Sequence, residues 1–192
     1  AALCDVVPGK CGDLLGRAEW EGPAPSVYLD YREMLAAEPG LDIVAVATES
    51  GEHARIALDC IDAGKNLIIE KPVALSMADA DEIVRRADEC EVKVSACHQN
   101  RFNVAVQHAR RAVEEGRFGQ MSHGSIHVRW NRGKSYYEQA PWRGTWAQDG
   151  GCLMNQCIHG IDLLRWMMGG EVTSVYAQTR QRLHGYLEAE DV

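Results

Sequence analysis

Three short apolar runs alternate with amphipathic segments in the first half of the chain. Residues Leu41 to Ala47, Asn66 to Ile69 and Val92 to Ala96 have the apolar, often β-branched composition of strands buried on both faces. The segments between them, Gly51 to Ala63 and Ser76 to about Cys90, carry apolar residues at helical spacing. Strands that alternate with helices in this way predict βαβ units around a parallel sheet.

Local signals mark where the predicted helices begin and end. Asp30 is placed to cap a helix over residues 31–37, and Ser76 followed by Asp79 is a capping pair for the next long helix. Gly64 directly follows the helix predicted over Gly51 to Ala63, at the position where a residue in the left-handed conformation commonly ends a helix. Residues 10–25 are rich in Gly and Pro, and we expect them to be irregular.

The pattern changes after about Arg101. We expect helices over Val104 to Glu115 and over Asn155 to Met168. Met121 to Trp130 alternates as a long strand, and Glu171 to Thr179 is also strand-like. The second half therefore predicts an α+β domain whose open sheet is mostly antiparallel.

The expected architecture is α/β, with a Rossmann-like domain over residues 1–101 and the second domain over residues 102–192. In a doubly wound sheet the first strand lies in the middle and a glycine fingerprint follows it. This sequence has no G-x-G-x-x-G, and Leu3 to Asp5 resembles the second strand of such a sheet. We therefore expect the first domain to be incomplete at its amino end and the second at its carboxyl end. The alternative is a complete small α/β domain of unusual topology.

The charge, the apolar stretches and the cysteines of the chain limit the partners and the cellular location that we expect. The chain has 20 basic and 28 acidic residues, a net charge of -8, which argues against nucleic acid and anionic membranes as partners. No apolar stretch is long enough to span a bilayer, and no signal peptide is recognisable. The seven cysteines include no C-x-x-C pair, so we expect reduced thiols and a cytoplasmic protein.

Glu70 and Lys71 follow a predicted buried strand, at the edge where open α/β sheets bind ligands. A lysine there can stabilise a substrate oxygen as it becomes negative, and can lie beside a cofactor ribose. Partial burial would lower its pKa and let it share in proton transfer. The alternative is an ordinary surface lysine before a turn proline.

Asn155, His159 and Asp162 share one face of a predicted helix. An imidazole there can take a hydroxyl proton while a neighbouring carboxylate or amide orients it. A metal site is not expected, because asparagine is a weak ligand and no third strong ligand is near. A polar helix face with a satisfied histidine remains the alternative.

The end of the first strand offers a cofactor contact. Asp5 can accept the hydroxyls of an adenosine ribose, which favours NAD over NADP, or it can be a simple turn aspartate. The turn from Thr48 to His53 opens a helix whose free amides can meet a phosphate or ribose.

A loop rich in aromatic residues follows the long predicted strand. Trp142 and Arg143, after Tyr136 and Tyr137, have the composition of loops that stack on sugars and pair with carboxylate or phosphate. The same composition is typical of an oligomer or domain interface.

In their order along the chain, these motifs resemble the Gfo/Idh/MocA family of nicotinamide-dependent oxidoreductases. The matching residues run from Leu3-Cys4-Asp5 through Glu70-Lys71-Pro72 to the segment Asn155-Gln156-Cys157-Ile158-His159-Gly160-Ile161-Asp162. The aromatic loop and Met154-Asn155-Gln156 look most like the UDP-N-acetyl-2-amino-2-deoxyglucuronate dehydrogenases of that family.

The resemblance implies roles for individual residues. Lys71 matches the active-site lysine and His159 the acid/base histidine, while Asn155 stands where several members have aspartate. On the cofactor side the matching residues are Asp5, Thr48, His53, Glu70, Gln99 and Arg101, and on the substrate side Trp142, Arg143 and Gln156.

The expected function is NAD-dependent oxidation of a secondary sugar hydroxyl, with C3 of a UDP-linked N-acetylated hexuronic acid as the expected position, by a homo-oligomer formed through the second-domain sheet. His159 takes the proton, Lys71 stabilises the oxygen, Asp162 supports the histidine, and Arg143 engages carboxylate or diphosphate. The alternatives are a free-sugar or inositol dehydrogenase and a non-catalytic sugar or nucleotide sensor. Because the glycine loop is absent, we expect the 192 residues alone to be inactive.

Overall fold

The computed structural model describes residues 1–192 and contains five strands and seven α-helices. The strands are β1 (Ala2–Cys4), β2 (Ser26–Tyr28), β3 (Ile43–Val46), β4 (Asn66–Glu70) and β5 (Val94–Cys97). The helices are α1 (Lys10–Arg17), α2 (Tyr31–Ala37), α3 (His53–Asp62), α4 (Met77–Glu89), α5 (Val104–Glu114), α6 (Lys134–Tyr137) and α7 (Ile158–Met168).

All strand pairs are parallel, as predicted, but they form two sheets. β1 pairs with β2, and β3, β4 and β5 form a second sheet in that order. No hydrogen bonds between strands join β1 to β3. The gap between the two sheets therefore lies where the first strand of a doubly wound sheet is predicted. The carboxyl ends of the strands point the same way within each sheet, which gathers the loops that follow them.

One apolar cluster lies between the three-stranded sheet and helices α3 and α4. Ile61, Leu67 and Ile69 are almost completely buried there. Burying a side chain of this size contributes about 1.5–3 kcal/mol relative to leaving it exposed. Ala2, Cys4 and Tyr28 of the two-stranded sheet pack against the same cluster, so both sheets share one core.

The predicted helix caps are confirmed. The Asp30 carboxylate accepts a hydrogen bond from the Arg32 amide, and the Ser76 hydroxyl accepts one from the Asp79 amide at 3.1 Å. Gly64 has a φ of 69°, the left-handed conformation expected after α3.

Two expectations about local structure are wrong. Residues 10–17 form α1 rather than an irregular segment, although Gly12 and Gly16 lower the helix propensity there. Met121–Trp130 and Glu171–Thr179 form no strands, so the predicted antiparallel sheet of the second domain is absent.

Met121–Trp130 instead lies along α7. A Cβ atom placed on Gly124 would lie 2.8 Å from Leu164, and one placed on Gly160 would lie 3.1 Å from Val128. These small residues let the segment lie against α7. A strand needs a hydrogen-bonded partner as well as an alternating pattern, and this segment packs on a helix instead.

None of the helices is long and apolar enough to cross a membrane. All seven cysteines are free thiols, as expected.

Candidate functional site

The site begins at the carboxyl edge of the three-stranded sheet. Strand β4 ends at Glu70, so Lys71 leaves the sheet at that edge, and β5 leads in the same direction to His98. From the second half of the chain, the first turns of the α7 region face the same place. The two halves therefore meet where the parallel strands end.

Lys71 makes one of the contacts between the two halves. Its ammonium donates hydrogen bonds to the backbone carbonyl of Asn155 at 2.7 Å and to the side-chain Oδ1 of Asn155 at 3.0 Å. Burial lowers the pKa of Lys71, although the carboxylates of Glu70 and Asp149 oppose that shift. A lysine with a lowered pKa at a shared edge is suited to stabilising an oxygen that gains charge.

Asn155 is oriented by a buried carboxylate. Asp149 is only 3% exposed, and its carboxylate accepts hydrogen bonds from the Asn155 side-chain amide and, at 2.8 Å, from the Gly144 amide. The amide nitrogen of Asn155 is thereby turned toward Asp149 and its oxygen toward Lys71. This role of Asp149 is not evident from the sequence, since nothing in a D-G-G sequence indicates which donor the carboxylate will meet.

A π-helical turn, Leu153–Cys157, carries Asn155 and leads into α7. Sequence spacing predicted a continuous α-helix here. Glu190 caps the turn, because its carboxylate accepts a hydrogen bond from the Leu153 amide at 3.0 Å. Gly151 has a φ of 85°, and a Cβ atom there would collide with the Glu190 carboxylate, so this close approach requires glycine.

His159 lies one turn beyond Asn155 and is 8% exposed. Burial lowers its pKa, and the positive charge of nearby Lys71 and the ring of His98 lower it further. Its Nδ1 atom is buried without a hydrogen-bond partner. A neutral imidazole beside an ammonium can accept a proton from a hydroxyl placed between them.

The predicted support of His159 by Asp162 involves no hydrogen bond; the charge of Asp162 only opposes the lowering of the His159 pKa by burial. Its carboxylate instead accepts two hydrogen bonds from the Arg101 guanidinium, one of them at 2.8 Å. Asp162 is also 3.8 Å from the Nδ1 atom of His98. The reason is geometric: a planar guanidinium matches both carboxylate oxygens at once, which a single ring nitrogen cannot do.

Arg101 is therefore engaged between the two halves of the chain. Besides pairing with Asp162, its guanidinium lies 5.1 Å from the centre of the Trp166 ring. Gln99, two residues earlier, has an exposed side chain. Of these two predicted cofactor contacts, Arg101 already has a structural partner and Gln99 faces solvent.

In the aromatic loop, an arginine side chain packs against two aromatic rings. The Arg143 guanidinium lies 4.2 Å from the Tyr136 ring centre and 4.6 Å from that of Trp142, and its buried Nε atom has no hydrogen-bond partner. Gln156 donates to the Tyr136 hydroxyl at 3.0 Å. This places Trp142, Arg143 and Gln156, the predicted substrate contacts, in one neighbourhood beside Asn155.

Asp5 and Thr48 lie at the ends of β1 and β3. Although burial opposes it, hydrogen bonds from Lys10 and the Val7 amide hold the pKa of Asp5 below its usual value. The Thr48 side chain is exposed. The contact of Asp5 and Thr48 with a cofactor ribose stays a prediction.

His53 was expected to contact the cofactor, and the structure gives it another place. It is 1% exposed, and its ring nitrogens lie 2.7 Å from the carbonyl oxygen of Pro72 and 3.1 Å from that of Thr48. His53 therefore ties the turn after β3 to the turn after β4. Its burial leaves no ring atom for a cofactor.

Two family models match the chain. Residues 6–98 match a family model described as an oxidoreductase family with an NAD-binding Rossmann fold, and residues 106–192 match the model of the GFO/IDH/MocA C-terminal domain. Among curated proteins, the chain is 29% identical over 151 residues to the myo-inositol 2-dehydrogenase of Thermotoga maritima. That alignment covers 78% of this chain and 42% of the relative, so the chain spans less than half of that relative's length.

Two solved structures are more similar. The WlbA dehydrogenase of Chromobacterium violaceum, in complex with NADH and UDP-GlcNAcA, is 37% identical with a TM-score of 0.88. The WlbA dehydrogenase of Bordetella pertussis, in complex with the same two molecules, is 36% identical with a TM-score of 0.87. The matches cover 98% of this chain and 52% and 56% of those chains.

Proposed function

This chain belongs to the Gfo/Idh/MocA family of oxidoreductases, and from that premise we propose that it serves NAD-dependent oxidation of a secondary hydroxyl on a UDP-linked sugar. The substrate we propose is an N-acetylated hexuronic acid oxidised at C3. The observation that carries the proposal is the meeting of Lys71, from the sheet edge, with Asn155 and His159, from the α7 region.

Each of these side chains has a part in the reaction. Neutral His159 takes the hydroxyl proton, and the Lys71 ammonium stabilises the oxygen while the carbon–hydrogen bond breaks. Asn155 holds the ammonium in place through two oxygen atoms. The chemistry that NAD would supply, when bound, is that of a hydride acceptor. On the cofactor side, Asp5 and Thr48 would hold the ribose at the carboxyl ends of β1 and β3.

The choice of a UDP-sugar is supported by likeness and by composition. The WlbA structures, 36% and 37% identical to this chain, were determined with UDP-GlcNAcA. In this chain, Arg143 supplies a cation with a buried, unpartnered Nε atom beside Asn155 and the Tyr136 ring. Such a group suits the carboxylate or the diphosphate of a sugar nucleotide.

A second candidate is dehydrogenation of inositol or a free sugar. It is favoured by the likeness to the Thermotoga maritima myo-inositol 2-dehydrogenase. The same Lys71 and His159 would act on the carbinol, so the two candidates differ only in whether a nucleotide is required.

The test, made on the full-length protein, is the appearance of reduced nicotinamide absorbance with UDP-linked hexuronic acids, inositols and free sugars. With the preferred substrate, Lys71→Met is expected to lower turnover at least ~100-fold, as for loss of a positioned acid/base group, while NAD binding largely survives. Lys93→Met, an exposed lysine at the other end of the sheet, is the matched control. Turnover by Lys71→Met near that of the control would refute the role of Lys71, and no hydride transfer with any substrate would favour a sensor.

A further inference from the structure

Two cysteines lie in contact across the π-helical turn. The Sγ atoms of Cys152 and Cys157 are 3.7 Å apart. In an α-helix, with 3.6 residues per turn, side chains five positions apart point about 140° away from each other. The wider π-helical turn, in which residue i bonds to i+5, brings them onto the same side. The contact therefore depends on the turn that carries Asn155.

The two cysteines border a cavity. Cys152 and Cys157 are half-buried and line a cavity of about 250 Å³ whose other walls include Trp130, Tyr137 and Leu183. A water molecule takes about 30 Å³ of liquid volume, so a small hydroperoxide has ample room there. Cys60, by contrast, is completely buried in the apolar core.

We propose that Cys152 and Cys157 are a redox-modification site, at which hydrogen peroxide converts the two thiols into an intramolecular disulfide that a dithiol can reduce again. One sulfur attacks the peroxide oxygen, the O–O bond breaks, and a sulfenic acid and one water molecule result. The second sulfur attacks the sulfenic sulfur, the S–O bond breaks, and the hydroxyl leaves as the second water with the second thiol's proton. Two thiols are oxidised and one peroxide is reduced.

The environment distinguishes the two sulfur atoms. Burial, together with the Cys157 thiol and the carboxylates of Glu190 and Asp191, raises the pKa of Cys152 to about 12. The thiolate is the nucleophile, so the raised pKa makes Cys152 slow to attack the peroxide. Cys157 therefore forms the sulfenic acid, and Cys152 attacks it to form the disulfide. The closed bond encircles residues 153–156, including Asn155, whose carbonyl accepts from Lys71. Oxidation thus acts on the turn that joins the two halves of the site.

The test uses hydrogen peroxide on the folded protein, followed by alkylation, trypsin and mass spectrometry. Cleavage after Arg143 and Arg165 leaves Cys152 and Cys157 together in one peptide, residues 144–165, and no other cysteine in it. We expect this peptide to lose two hydrogens and to escape alkylation, and the protein to lose two of its seven thiols. Dithiothreitol should restore both.

Cys157→Ser is expected to abolish the two-hydrogen loss, whereas Cys90→Ser, a half-buried cysteine at the end of α4, should leave it unchanged. The proposal is overturned if peptide 144–165 gains oxygen atoms instead of losing hydrogens. It is also overturned if both thiols stay open to alkylation at peroxide levels that oxidise Cys90. The readout is a mass, so it is independent of any dehydrogenase activity.

Discussion

Replacing Asp149 by asparagine tests the buried carboxylate that orients Asn155. The change is nearly isosteric, but an amide offers only one acceptor oxygen where the carboxylate has two. In the present structure both oxygens are used, one by the Gly144 amide and one by the Asn155 side chain. In Asp149→Asn, one of these N–H donors must face another N–H group.

The magnitude follows from those two hydrogen bonds. Each bond to a buried carboxylate contributes about 1.5–3 kcal/mol, whereas a neutral one contributes about 0.5–1.5 kcal/mol. Asparagine keeps one neutral bond and leaves one buried donor unsatisfied. We therefore expect the free energy of unfolding to fall by about 3 kcal/mol. The loss of a negative charge should also lower the pKa of Lys71 further, since Asp149 opposes the effect of burial on that lysine.

Urea denaturation followed by tryptophan fluorescence measures the change, with an unaltered m-value as the sign that the unfolded state is the same. The sharper measurement is the exchanged double variant Asp149→Asn with Asn155→Asp. There the new amide at position 149 can accept from Gly144 through its oxygen, while its nitrogen donates to the new carboxylate at position 155, which also faces Lys71. We expect the exchange to recover all but about 1 kcal/mol, a coupling of the size seen for residues in contact.

Two results would refute this reasoning. One is a fall of less than about 0.5 kcal/mol in Asp149→Asn, which is the effect of an ordinary surface substitution. The other is a double variant no more stable than Asp149→Asn alone, because the partner of Asp149 would then not be Asn155.

Two other predictions concern pH and a helix cap. Burial is the main cause that lowers the pKa of His159 from 6.5. The midpoint of an NMR titration of its ring, and that of the acid limb of kcat/KM, should therefore both lie below pH 6.5. In that range the unfolded state binds more protons, so His159 makes the fold less stable as pH falls; a midpoint at or above 6.5 would contradict the burial argument. Ser76→Ala removes the acceptor of the Asp79 amide and should cost about 1 kcal/mol in urea denaturation, with exposed Ser95→Ala as the control. An equal loss in both variants would count against the cap.

Much of the first half could be predicted from the sequence, because its signals are local. Apolar β-branched runs located β3 and β4 to within about two residues, the usual uncertainty of element ends. Asp30 and Ser76 cap their helices because a short oxygen-bearing side chain reaches amides two or three residues away. Helix α1 was missed because its glycines mask the helical pattern.

The site was predicted less completely, because its decisive contacts are not local. The resemblance to a family, rather than the spacing of residues, brought Lys71 and His159 together. The partner of Asp162 is Arg101, 61 residues away, and no sequence pattern announces such a pair. The π-helical turn was also invisible, since it depends on Glu190 and Gly151 meeting from distant parts of the chain.

Trp166 has a consequence for how α7 is held. Two guanidinium groups lie near its ring, Arg101 at 5.1 Å and Arg110 at 4.9 Å from the ring centre, and Arg110 also donates a hydrogen bond to the Trp166 carbonyl. Because Arg101 also pairs with Asp162, these contacts restrain rotation of α7 about its own axis. The orientation of the His159 imidazole therefore depends on Arg101, Arg110 and Trp166, which do not contact the substrate. A change that frees α7 to rotate would turn the imidazole away from the substrate hydroxyl, although no reacting side chain had been altered.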